Sequence, residues 1–72
     1  MTRFGRLKYV CDRANQYLGN TRFVLEKGYK QYSIYDNDLG TETKCYTLDE
    51  VQSSEEYYAA FFVVNGVNAT CP

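Results

Sequence analysis

Between Leu18 and Thr21 the spacing of the bulky side chains changes from steps of three and four to a step of two, and that switch sets the fold class. From Thr2 to Leu18, Phe4, Leu7, Cys11, Ala14 and Leu18 recur at steps of three, four, three and four, which on an α-helix makes one apolar stripe. Val10 and Tyr17 widen the stripe, Thr2 stands at the N-cap, and Gly19 sits where a left-handed residue closes a helix. Thr21 to Lys27 then alternates and is rich in β-branched and aromatic residues. Gly28 punctuates it, and Tyr29 to Tyr35 sets Tyr32 and Ile34 opposite Tyr29, Gln31, Ser33 and Tyr35. Two antiparallel strands follow.

Asp36-Asn37-Asp38-Leu39-Gly40 is dense in turn formers, and a third strand, Thr41 to Tyr46, returns from it. Thr47-Leu48-Asp49-Glu50 has the form of a capping box, so a second helix starts at Leu48. The reading favours helix to about Val64, with a kink allowed at Ser53. Ser53-Ser54-Glu55-Glu56 also has the form of a fresh helix start, and the doublets from Tyr57 to Val64 fit a buried helix or a strand. Asn65-Gly66 fits a helix C-cap or a hairpin turn to Val67-Asn68-Ala69-Thr70.

Seventy-two residues make one domain, spanning 1–72, with a small core. An apolar content of 44% and an aromatic content of 17% exclude a disordered composition. The longest apolar run, Tyr57 to Val64, is far short of the ~20 residues that span a bilayer, and Arg3, Arg6 and Lys8 interrupt any leader-like run. A soluble chain with no membrane partner is expected, placed in a cytoplasm. Cys11, Cys45 and Cys71 are widely spaced, with no C-x-x-C pair and no His, so reduced buried thiols are expected and no metal or cofactor. Asn68-Ala69-Thr70 matches a glycosylation acceptor only by chance without a secretion signal.

Charge divides the chain. Residues 1–30 carry +5 and residues 31–72 carry −6, a separation that concerns partners more than fold. Arg3, Arg6 and Lys8 lie near the positive end of the helix dipole, where a purely structural helix would place acids. At 100° per residue Arg6, Tyr9, Arg13 and Gln16 share one arc, a basic and aromatic face able to grip carboxylates or phosphates. Asp49, Glu50, Glu55 and Glu56 crowd four negative charges into eight residues and form an acidic counterpart for a basic groove. The bland alternatives are solvated faces, helix-capping acids, and arginines paired with the chain's own acidic half. Tyr29, Tyr32, Tyr35 and Tyr46 are a third candidate, a stacking strand face, although only Lys30 and Lys44 stand among them to attract nucleic acid.

Catalysis is hard to build without His, the usual base near neutral pH, and the chain is read as not an enzyme. The Asp36 turn departs from a calcium loop, since its Gly comes one position early and Thr47 occupies the place of the closing Glu.

Tyr32-Ser33-Ile34-Tyr35-Asp36-Asn37-Asp38-Leu39-Gly40, followed by Thr47-Leu48-Asp49-Glu50-Val51, resembles small phage-encoded host-takeover or anti-defence proteins. In these a tyrosine-rich strand, an Asn/Asp-Gly turn, a return strand and a Thr-Leu-acid-Glu-Val helix start follow in order. The resemblance implies a short non-enzymatic ligand that redirects a host machine such as RNA polymerase or a CRISPR or restriction complex. The expectation is therefore a small α+β domain, an N-terminal amphipathic helix and a C-terminal helix on a three-stranded antiparallel sheet. It would bind a host protein through Arg6, Tyr9, Arg13, Asp49, Glu50, Glu55 and Glu56. Two alternatives stand beside it: a nucleic-acid-binding regulator using the basic helix, and a homo-oligomeric structural protein pairing its basic with its acidic segment.

Overall fold

The computed structural model describes residues 2–70. Their order is α1 (Arg3–Leu18), β1 (Phe23–Gly28), β2 (Gln31–Asp36), β3 (Thr41–Cys45), α2 (Leu48–Gln52) and α3 (Glu55–Thr70). The strands form one antiparallel sheet in the order β1-β2-β3, with helices packed on one face, an α+β domain as expected.

The apolar stripe of α1 becomes its buried face: Leu7, Cys11 and Ala14 are enclosed, and Phe4 and Val10 pack beside them. Thr2 Oγ1 accepts the amide of Gly5 at 3.1 Å. Gly19 takes φ 71°, the left-handed conformation that costs a residue with a Cβ roughly 1–2 kcal/mol. Asn15 then ties helix to sheet, its side chain donating to the Phe23 carbonyl and accepting the Phe23 amide, both at 2.8 Å.

The strand bounds differ from expectation by one or two residues, each for a local reason. β1 begins at Phe23 rather than Thr21 because Thr21 and Arg22 give their carbonyls to the side chain and backbone of Asn37. Tyr29 belongs to the turn joining β1 to β2, where Lys30 takes φ 62°, and β2 runs on to Asp36, which pairs with Phe23. β3 stops at Cys45 because the amide of Tyr46 is taken by Glu50 Oε2 at 3.2 Å.

The register puts Phe23, Leu25, Tyr32, Ile34, Asp36, Thr43 and Cys45 on the helix side of the sheet. With Val51, Tyr57 and Ala60 from the helices, the apolar members form the core, each large aliphatic or aromatic side chain contributing about 1.5–3 kcal/mol by leaving water. Val24, Glu26, Ser33, Tyr35, Glu42 and Lys44 line the other face.

The expected kinked helix from Leu48 is two helices. Ser54 Oγ donates to the Val51 carbonyl at 2.6 Å and accepts the Tyr57 amide at 3.2 Å, so one hydroxyl ends α2 and caps α3. Tyr57 to Val64 is helix. Asn65-Gly66 is neither C-cap nor hairpin turn, and the helix continues through it to Thr70. Both motifs need a positive φ, which Gly66 does not adopt, and a glycine within a helix costs only about 1 kcal/mol. Cys71 and the side chains of Val67 to Thr70, including the glycosylation match, lie outside what the structure describes.

Candidate functional site

The first turn of α1 holds no acid, so its basic residues oppose the helix dipole, as the sequence indicated. Arg3 is held by Asp49 and, at 2.8 Å, by Gln52 on α2. Arg13 donates to Gln16 Oε1 at 3.1 Å and to the Tyr17 hydroxyl at 2.9 Å, with its guanidinium 5.0 Å from the centre of the Tyr17 ring. Arg6 and Lys8 make no ion pair among the described residues. Tyr9, on the same arc as Arg6, is 53% exposed. The arc of Arg6, Tyr9, Arg13 and Gln16 is thus a surface whose C-terminal half is pre-set by its own hydrogen bonds and whose N-terminal half carries one cation, Arg6, without an ion pair among the described residues, while Lys8 projects to one side of it.

The acidic group does not form one face. Asp49 is engaged by Arg3, and Glu50 closes the capping box, its amide bonding Thr47 Oγ1 at 3.2 Å while its carboxylate takes the Tyr46 amide. Glu55 is exposed. Glu56 is buried and accepts the Thr43 hydroxyl at 2.7 Å, so it is unavailable to a partner. Its place on the inner arc of α3 turns it toward the sheet. The tyrosines divide likewise: Tyr32 packs on Phe4 at 5.8 Å between ring centres, Tyr35 lies on the open face, and Tyr29 and Tyr46 stand in solvent. They are not one stacking platform.

Two features escaped the sequence reading. Arg22 and Asp36 join the two charge halves through paired contacts of 2.8 and 3.0 Å, with Asp38 3.6 Å away. The hydrogen bond from Arg22 holds the Asp36 carboxyl below its ordinary range despite burial, and the same bond raises Arg22. The signal was parity: Asp36 is in phase with Ile34 and Tyr32, so its side chain had to point inward.

The second feature is the outward arc of α3. Tyr58, Phe61 and Phe62 remain 69%, 47% and 66% exposed, and beside them Arg22, Tyr58, Ala59, Phe62 and Val63 line an open groove of about 380 Å³. The doublets Tyr57-Tyr58 and Phe61-Phe62 carried this signal, since adjacent residues on a helix diverge by 100° and both cannot face the same core.

Cys11 and Cys45 are buried and placed for packing. Burial pushes Cys11 up to about 12, aided by Asp12, and burial also raises Cys45. Among the described residues no group of three acidic, Cys or His side chains has the proximity to hold a metal, and no helix is long and apolar enough to cross a membrane.

Compared with protein-family models, curated proteins and solved structures, the chain matches none. The surfaces themselves are therefore the basis for a functional reading.

Proposed function

We propose that this chain is a small non-enzymatic protein-binding module, acting stoichiometrically as an inhibitor or modulator of a host protein complex in a bacterial cytoplasm. The observation that carries the reading is the α1 face. Arg6 sits in the first turn of α1, at the unfavourable end of the helix dipole and with no ion pair among the described residues, on one arc with the exposed ring of Tyr9 and the ordered Arg13–Tyr17 pair. Each cation so placed costs a few tenths to about 1 kcal/mol of helix stability, a cost that a carboxylate-bearing partner offsets. Arginine and tyrosine are also the side chains that dominate binding energy at protein interfaces. The resemblance of Tyr32 to Gly40 and Thr47 to Val51 to phage-encoded proteins supports the class of target, RNA polymerase or a CRISPR or restriction complex.

The test is capture of tagged protein from nuclease-treated bacterial lysate, in parallel with Arg6→Glu/Arg13→Glu. A single host protein retained at fixed stoichiometry by the wild type and lost by the variant is the expected result. Recovery that depends on nucleic acid would replace this reading with the nucleic-acid one.

A further inference from the structure

An amphipathic helix in a small domain normally turns its polar arc to water. In α3 the outward arc runs Glu55, Tyr58, Phe61, Phe62 and Asn65, so between one acid and one amide it presents only aromatic rings. Ridge and recess lie side by side on it. Phe62 projects into solvent while also bounding the groove formed with Arg22, Tyr58, Ala59 and Val63.

We propose that a second copy of this chain docks here, α3 against α3 about a two-fold axis, with Phe62 of each copy seated in the groove of the other. A two-fold interface requires each copy to offer both the projecting group and its receptor on one patch, which Phe62 and its groove do. Tyr58, Ala59 and Phe62, or Ala59, Phe62 and Val63, are the spacing from which one helix builds a hole for a partner's knob.

Charge selects the orientation and the occupant. A parallel pair would stack Glu55 on its own copy, whereas the antiparallel pair separates the two acids and opposes the helix dipoles. Among the described residues that line the groove the one cation, Arg22, is already neutralised by Asp36 at 2.8 and 3.0 Å, so the groove calls for a ring rather than an acid. One face of the Arg22 guanidinium already lies over the Phe23 ring, 4.7 Å from the ring centre, so Arg22 serves the groove as wall rather than as a free charge.

The three exposed rings offer on the order of 350 Å² per copy, against about 800 Å² per partner in a stable interface. The dimer is accordingly concentration-dependent, and its contact is distinct from the α1 face assigned above.

Sedimentation velocity of the purified full chain over a wide concentration series, at low and high salt, tests this. The weight-average mass should rise from 8.4 kDa toward twice that value, with little salt dependence. Phe62→Glu should weaken association about 30-fold, as expected for loss of a central contact, while Arg6→Glu/Arg13→Glu leaves it unchanged. Amide resonances of residues 58–63 should shift with concentration in the wild-type protein, a readout that stands even where a variant misfolds. A monomer at the highest concentration, association that salt abolishes, or a dimer indifferent to Phe62→Glu with unshifted 58–63 resonances would each overturn the proposal.

Discussion

Asp36, 1% exposed at the end of β2, grips Arg22 through both carboxylate oxygens. The same Oδ1 accepts the amides of Asp38 and Leu39 at 3.1 and 3.2 Å. One side chain thus fixes the turn into β3, fastens the segment leading into β1, and joins the basic half of the chain to the acidic half.

Arg22→Ala leaves that buried carboxylate without its counter-ion. Stability should fall by on the order of 3 kcal/mol, read as a lower urea midpoint with an unchanged slope. Arg22→Lys should recover only part of the loss, because an ammonium cannot match two oxygens at once.

The same pair governs the acid limb of stability. The unfolded chain protonates Asp36 near its ordinary 3.8, the folded chain only at lower pH. The stabilisation is therefore complete above that value and is lost as pH falls through the lower folded one. Urea midpoints measured from pH 6 down to pH 2 should decline less steeply in Asp36→Asn than in the wild type, from a lower starting value.

Thr43→Val removes the hydroxyl that Glu56 accepts, with little change of shape. A buried acceptor that loses its donor costs about 1–3 kcal/mol. Thr43→Ser should restore most of that stability, which thermal denaturation of the two variants would show.

For the thiols the sign reverses. Cys11 ionises only near 12 when folded but near 9.0 when unfolded, so its contribution is intact below pH 9 and is lost progressively above it. In the native protein at pH 8, iodoacetamide should label Cys11 and Cys45 only at the rate of transient opening. Peptide mapping after labelling, with and without urea, measures this, and rapid native labelling of Cys11 would contradict its burial.

Local chemistry made much of this legible in the sequence. Thr2, Gly19, Thr47 and the Asp36 turn each act within a few residues, and their roles follow from short-range hydrogen bonding. The helix stripe and the inward parity of Tyr32 and Ile34 needed only periodicity. The α3 boundary was ambiguous because Ser54 serves two helices at once, and because Asn65-Gly66 has the composition of a turn in a helix that continues through it. The candidate surfaces were least legible. Whether Arg3, Arg22, Asp49 or Glu56 faces a partner or the chain itself depends on which distant segments meet, and neither composition nor spacing carries that information.

The pairing of α1 with α3 also sets when the molecule can become itself. Leu7, Cys11 and Ala14 find cover partly in a helix that begins about fifty residues later along the chain. A contact so distant in sequence requires a long loop to close. On the ribosome the hairpins can form as they emerge, but α1 keeps an uncovered apolar side until α3 has been made. During that interval the nascent chain offers chaperones a surface that the finished protein conceals.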